Sequence, residues 1–451
     1  MWAFALLSAG VSTPHARTPL VRASAMATAV PPAPSAPCGS ESLRADFAAL
    51  DQEVWEGKRL VYLDSAATSQ KPVPVVNAMR QHLDRDNANV HRGAHALSAR
   101  STAGYEGARD KVAALIGAAD RSEVVFTRGA TEAINLVAAS WGARNLRAGD
   151  EVVLSVMEHH SNLVPWQMLA AERGVTLRYA RLREGEETLD MEHLASLIQP
   201  GVTKLVSVAH VSNTLGCVNP IAEIAELAHA AGARLLVDAC QSVPHMRVDV
   251  GELGCDFLVA SGHKMCGPTG IGFLWGRLAL LEEMPPWQGG GEMIDQVTLE
   301  GVTFAPPPGR FEAGTPAITQ AIGLGAACDY LRAVGLDAIA AHEKQLGEYL
   351  YERLSAIDGL RIYGPAPSAA GPHGRAALCA FNVDGVHASD LATFLDQEGI
   401  AIRAGHHCTQ PLHAELGAAG SARASLYLYN TREEVDTLCE ELEATIELLR
   451  M

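Results

Sequence analysis

The sequence predicts an α/β protein: a mostly parallel, mixed sheet covered by helices, followed by a smaller α+β C-terminal domain. Three observations carry that expectation. Short apolar runs recur at Glu123–Phe126, Glu151–Val156, Lys204–His210, Arg234–Asp238, Phe257–Ala260 and Ile271–Leu274. Amphipathic stretches such as Glu132–Leu146 and Ile221–Ala231 lie between several of them, and strand–helix alternation of this kind builds parallel sheets. After Pro306-Pro307-Pro308-Gly309 the texture shifts to a long helical stretch, roughly Thr319–Ile357, and then to shorter mixed elements ending at Met451.

Size and composition bound the function. The chain has 451 residues, 48% of them hydrophobic and 19% charged, enough to bury a large core. No run approaches the roughly 18 apolar residues of a membrane helix. A net charge of −17 argues against nucleic acid and against an anionic membrane as partner. Nine cysteines without a short repeated spacing read as free thiols, not as a disulfide framework.

Residues 1–40 differ from the rest. They hold no Asp or Glu, contain Arg17 and Arg22, and include six prolines among many Ala, Ser and Thr. That is the composition of an organelle transit peptide, and Val21-Arg22-Ala23 resembles a plastid processing site. Plastid targeting is the expectation, with mitochondrial targeting, a secretory signal and a plain tail as alternatives. Residues 41–60 read as an N-terminal segment, 61–318 as the large domain and 319–451 as the small one.

In parallel sheets ligands sit at the carboxyl ends of the strands, and the polar motifs of this chain fall there. Ser261-Gly262-His263-Lys264 follows an apolar run. A lysine in such a cleft can become a nucleophilic amine, because burial disfavours its charged form; a lysine standing alone there reads as a surface residue in a Gly-rich turn. Asp238 ends its own run, 26 positions earlier, with Gln241 just after it. Beside a lysine of that kind, a carboxylate can hold a pyridine nitrogen protonated. Thr127-Arg128-Gly129-Ala130-Thr131-Glu132 opens a helix and suits either an ordinary N-cap or a phosphate cradle. In Glu158-His159-His160-Ser161-Asn162 the adjacent histidines suit metal ligation, ring stacking or solvent.

By these motifs, the chain from about residue 45 onward resembles the class V, fold-type I pyridoxal phosphate (PLP) enzymes. More narrowly, it resembles plastid SufS-type (group II, NifS-like) cysteine desulfurases. Further motifs follow in order: His91-Arg92-Gly93, Ser212-Asn213, Phe311-Glu312-Ala313-Gly314-Thr315-Pro316, Arg403-Ala404-Gly405-His406-His407-Cys408 and Ala422-Arg423-Ala424-Ser425. The resemblance implies that Lys264 holds the cofactor through its amine and later moves the substrate Cα proton. Asp238 would pair with the ring nitrogen, Gln241 with the ring oxygen, and His159 would stack on the ring, with His160 the second candidate. Thr131, Ser261 and His263 would hold the phosphate, joined by the backbone at Ala130 and by Thr315 of a second subunit, which implies a homodimer. Asn213 and Arg423 would bind the substrate carboxylate, with Arg403 as a helper, and no metal is implied.

Cys408 names the reaction. Read by itself, Gly405-His406-His407-Cys408 suits a metal site, a structural loop or a nucleophile; the PLP motifs select the nucleophile. His406 and His407 are expected to raise its thiolate fraction. The implied activity is removal of sulfur from L-cysteine to give alanine and a Cys408 persulfide, with selenocysteine lyase chemistry as a side activity. The implied acceptor is a SufE-type protein serving iron–sulfur assembly. The alternatives are a dedicated selenocysteine lyase, another class V enzyme and a non-catalytic binding protein. Two departures from bacterial members stand out: Ala130 replaces a second threonine, and Cys266 stands where an aromatic is frequent. Cys217, Cys240, Cys255 and Cys379 read as core, and Cys266 keeps a weaker claim to a role.

Overall fold

A computed structural model of the chain describes residues 36–370 and 374–451. The transit-peptide expectation therefore lies almost wholly outside the described residues. The main sheet contains β1 (Val124–Thr127), β2 (Glu151–Ser155), β3 (Thr176–Ala180), β4 (Thr203–Ala209), β5 (Arg234–Asp238), β6 (Phe257–Ser261) and β7 (Gly272–Gly276). Its order is β1-β7-β6-β5-β4-β2-β3. β7 runs antiparallel to both neighbours, and the remaining pairs are parallel. The expected mixed α/β sheet is present, its six anticipated strands displaced by a residue or two at most. β3 was not anticipated. It is an edge strand with alternating exposure, so the exposed Thr176 and Arg178 interrupt the apolar run that marks the buried strands.

The sheet is covered on both faces, and the alternation of side chains divides the core. Phe126, Val153, Val206, Val237, Leu258 and Phe273 face one cluster; their neighbours Val125, Val152, Leu205, Leu236, Val259 and Leu274 face the other. Helices α1 (Val73–Gln81), α2 (Ala96–Leu115), α5 (Ile221–Ala230) and α6 (Ile318–Val334) serve the first face. Helices α3 (Ala130–Val137) and α4 (Val164–Arg173) serve the second. The helix expected over Glu132–Leu146 begins two residues earlier and continues past Val137 through a π-turn, Ala138–Gly142. The expected single stretch Thr319–Ile357 is two helices, α6 and α7 (Leu336–Ser355). Gly335 between them takes φ +93°, a conformation that breaks the helical ladder and that side chains disfavour.

The C-terminal part holds an antiparallel sheet of β8 (Leu360–Tyr363), β9 (Leu378–Val383), β10 (Arg403–Gly405) and β11 (Ser421–Ser425), ordered β8-β9-β11-β10. Helices α7, α8 (Ala388–Gln397) and α9 (Arg432–Arg450) pack on it through Leu346, Leu391 and Leu438. α9 opens with a capping box in which Thr431 and Glu434 satisfy each other's backbone N–H groups. One strap joins the two sheets. Val61–Tyr62 pairs in parallel with Ile400–Ala401, Asp64 bridges to Ser425, and the chain then reaches the turn after β6, where Ser69 N–H donates to the His263 carbonyl over 3.0 Å.

Candidate active site

Strands β4, β5 and β6 end at Ala209, Asp238 and Ser261. Their following loops, with the loop after β2, enclose a cavity of about 250 Å³. Ala130, Thr131, His159, Asn213, Asp238, Gln241, Ser261, His263, Lys264, Arg403 and Arg423 all line it. Of the catalytic, cofactor-binding and substrate-binding residues that the resemblance implies, only Cys408 and Thr315 stand outside the lining. Ala66, Ser161 and His407 line it too, although sequence reasoning did not pick them for it. Ala66 comes from the strap, which carries no local signature of a site.

One end of the cavity is rich in hydrogen-bond donors. Gly129, at φ +155°, turns the chain from β1 into the first turn of α3. A Cβ on Gly272 would stand 2.6 Å from Gly129 Cα and 2.5 Å from the Ala260 carbonyl oxygen, so this approach needs glycine. The Ala130 N–H donates to Ser261 Oγ over 2.9 Å, leaving the serine hydroxyl hydrogen free to point elsewhere. Thr131 Oγ1 lies 2.6 Å from Ser161 Oγ. A helix N-terminus with these hydroxyls suits an anion. Ala130 removes one hydroxyl but keeps its N–H.

Asp238 and Lys264 occupy the middle. Asp238 is buried and accepts the Cys240 N–H at 3.0 Å through one oxygen. Lys264 ends a short turn whose His263 carbonyl accepts from Thr68 Oγ1 and from Lys71 Nζ, each at 2.9 Å. Burial pulls Lys71 down to about 8. His159 is held neutral: burial first, then the charge of Lys264, lower its pKa to about 4. Its Nδ1 accepts the Ser161 N–H over 3.1 Å. His263 is lowered to about 4 for the same reasons. Gln241 donates one amide hydrogen to the Ala66 carbonyl over 2.8 Å, so it braces the strap as well as facing the cavity. Behind His159, Glu158 is fully buried, accepts from Asn162 Nδ2 at 2.7 Å, and is raised by burial to about 7.

The far end is cationic. Arg403 and Arg423 stand directly opposite each other on β10 and β11, so two like charges share one sheet face, an arrangement that is unfavourable without an anion. Arg423 is buried; its Nη2 donates to Asp64 Oδ1 at 3.0 Å and its Nη1 to the Asn213 carbonyl at 2.9 Å. Asp64 was missed from sequence, where it reads only as part of the strap. Asn213 also donates from Nδ2 to the His407 carbonyl at 2.9 Å, holding the loop that carries Cys408.

Cys408 is partly exposed at the rim, its Sγ 3.9 Å from Arg403 Nη2. The expected help from His407 is corrected here. Burial, then the charge of Arg423, drives its pKa down to about 2, and its Nε2 bonds Ser421 Oγ at 3.0 Å. A neutral, buried ring supplies no positive charge to the thiol; Arg403 does. Among the described residues no group of three His, Cys, Asp or Glu side chains is placed to hold a metal. Thr315 is exposed on a segment locked by its neighbour Glu312, which takes Arg109 Nη1 and Nη2 at 2.6 and 2.9 Å and the Phe126 N–H. Cys266 is fully buried and raised to about 12, which leaves it no thiolate.

The wall has two buried polar atoms that no described group meets, Arg423 Nε and His407 Nδ1. Together with a carboxylate facing the middle, a lysine, a neutral imidazole and a helix N-terminus, they fit a planar pyridine carrying a phosphate, with a substrate carboxylate beyond it. Such a fold and cavity define a PLP-dependent enzyme of fold type I.

Residues 61–438 match the family described as Aminotransferase class-V. A probable cysteine desulfurase of Synechocystis sp. is 58% identical over 411 residues, 91% of this chain and 96% of the relative. A cysteine desulfurase of Haloferax volcanii is 49% identical over 426 residues, covering 92% and 98%. The crystal structure of the Escherichia coli cysteine desulfurase CsdA (S-sulfonic acid) superposes with a TM-score of 0.82 at 40% identity, covering 90% of this chain and 98% of that one. The chain belongs to the class-V aminotransferase family, whose enzymes use pyridoxal 5'-phosphate.

Proposed function

We propose that this enzyme is a cysteine desulfurase that converts L-cysteine to L-alanine and carries the sulfur as a persulfide on Cys408. The observation that carries the reading is the position of Cys408: a cysteine beside Arg403, at the rim of the cavity that holds Lys264 and Asp238. The names of the relatives point the same way. Another class V reaction has no use for a thiol there.

Lys264, Asp238, Gln241, His159, His263, Ser261, Thr131 and the Ala130 N–H are the residues that would hold the cofactor. Bound there, it supplies an electron sink for the pair left when the substrate Cα–H bond breaks. Lys264 Nζ takes that proton and returns it. Asp238 would pair with the ring nitrogen. Arg423, with Asn213, holds the substrate carboxylate by charge-assisted hydrogen bonds. The Cys408 sulfur, held 3.9 Å from Arg403 Nη2, attacks the substrate Sγ. The Cβ–S bond breaks, an S–S bond forms, and a proton replaces sulfur on Cβ. In sum, cysteine and the Cys408 thiol become alanine and the persulfide. The sulfur is oxidised and Cβ is reduced, and no outside oxidant enters.

Sulfur then passes to an acceptor of the SufE type for iron–sulfur assembly. Two copies pair, each lending Thr315 to the other's phosphate; the Glu312–Arg109 lock supports this by holding that segment at the surface. Selenocysteine enters by the same route as a side activity, and residues 1–40 direct the chain to plastids. The decisive experiment assays alanine and sulfide from L-cysteine with PLP-loaded wild type and Cys408→Ala. Loss of both products in a variant that keeps the cofactor's absorbance is expected. Undiminished turnover would overturn the desulfurase reading in favour of another class V reaction.

A further inference from the structure

The loop bearing Cys408 is not in a conformation it would adopt unaided. His407 and Cys408 are consecutive residues with φ of +50° and +59°, a left-handed region that residues with side chains seldom enter. Two adjacent residues remain there only when surrounding groups hold them. Asn213 holds the His407 carbonyl from below at 2.9 Å, and Thr214 Oγ1 meets Thr409 Oγ1 at 3.0 Å. One residue grips both sides of Thr409, directly after the cysteine. The His160 N–H donates to the Cys408 carbonyl over 2.7 Å, and His160 Nε2 accepts the Gln410 N–H over 3.1 Å. Gln410 opens the short helix Gln410–Glu415, so its N–H lacks a helical partner and the imidazole serves as the cap. Acceptance at Nε2 needs a neutral ring. Burial, then the charge of His406, keeps the pKa of His160 below its ordinary value.

We propose that His160 is a positioning residue for the nucleophile: through its backbone N–H and its ring Nε2 it clamps the chain before and after Thr409 and holds the left-handed turn that keeps Cys408 beside Arg403. Its neighbour His159 faces the cavity, whereas His160 turns to the loop, so the adjacent pair divides cofactor contact from nucleophile placement. The inference rests on the reading of Cys408 as the sulfur-accepting thiol. It concerns the rate of sulfur transfer to that thiol, not substrate or cofactor binding.

The test compares PLP-loaded, full-length wild type, His160→Ala and His160→Gln. A glutamine side-chain oxygen can accept the Gln410 N–H; alanine cannot. The readouts are kcat and KM for L-cysteine, the cofactor's absorbance, and the single-turnover rate of Cys408 persulfide formation by mass spectrometry. His160→Ala is expected to lower kcat and the persulfide rate roughly 10- to 100-fold, the scale of a misplaced reacting group. KM and absorbance should stay near wild type, and His160→Gln should recover most of the loss. Amide hydrogen exchange across residues 406–411 should rise in His160→Ala and return toward wild type in His160→Gln. If His160→Ala does not fold, His160→Phe, which keeps the ring's bulk without the acceptor, takes its place. An unchanged kcat, a loss confined to KM, or a His160→Gln variant no better than His160→Ala would overturn the clamp. Failure of the underlying reading looks different: Cys408→Ala itself would then turn over normally.

Discussion

Arg423 donates from Nη2 to Asp64 Oδ1 over 3.0 Å, across a gap of 359 residues in sequence. The arginine is 1% exposed. Burial pushes both partners away from their charged forms, Asp64 up and Arg423 down, and the pair offsets part of that cost. The strap is thus what makes a buried guanidinium tolerable at the end of the cavity.

Asp64→Ala removes that support and leaves the guanidinium's charge uncompensated. Loss of one partner of a buried pair costs about 3–5 kcal/mol, so a fall in midpoint is expected in denaturant unfolding. Activity should suffer more gently: kcat/KM for L-cysteine falls about tenfold or more, mostly through KM, because Arg423 loses its orientation. Asp64→Asn, which keeps the hydrogen bond, should lie between. Steady-state kinetics with a KM unchanged in both variants would remove Asp64 from substrate binding.

The thiols should sort by burial when the native enzyme meets iodoacetamide. Cys408 reacts first. Cys217, Cys240, Cys255, Cys266 and Cys328 are buried and raised by burial to about 12 or above, so they stay unmodified on the same time scale. Peptide mass spectrometry reads the order. Early labelling of Cys266 would restore a reactive role for it.

Gly272→Ala places a methyl group 2.5 Å from the Ala260 carbonyl oxygen and 2.6 Å from Gly129 Cα. Neither backbone can yield without opening the turn before α3. The expected result is weaker cofactor retention on dialysis, seen as lost absorbance, with a stability loss of about 1–3 kcal/mol. Full retention would mean that the donor-rich end tolerates a shifted β1–β7 pair.

Glu158 carries a pH signature. Its folded carboxyl is raised from 4.5 to about 7 by burial, so the folded chain binds this proton more tightly than the unfolded one. Its stabilising contribution is complete below about pH 4.5 and disappears as pH rises through 7, a change on the order of 3 kcal/mol. Glu158→Gln should flatten that part of the stability curve between pH 5 and pH 8 in denaturant titrations. Parallel curves for the two proteins would show that Glu158 does not carry it.

Much of the site is legible in the sequence. Asp238, Lys264, Thr131 and His159 each follow an apolar run, and buried parallel strands announce themselves by such runs. β3 escaped because an edge strand alternates, and the helix break at Gly335 escaped because one glycine inside a periodic stretch does not say which way the chain turns. His407 looked like a source of positive charge, because adjacency in sequence says nothing about burial.

The order of motifs along the chain was sufficient for the fold class and for the cofactor chemistry, since both depend on residue types at strand ends, a local property. Three things depended on the tertiary structure: the support of Arg423 by Asp64, the assignment of the charge beside Cys408 to Arg403, and the division of labour between His159 and His160. The first and third join segments hundreds of residues apart, the second folds a turn back on the strand five residues before it, and each turns on desolvation and on distances of about 3–4 Å. Periodicity encodes which face a residue occupies. Only folding determines which group on another element it meets there.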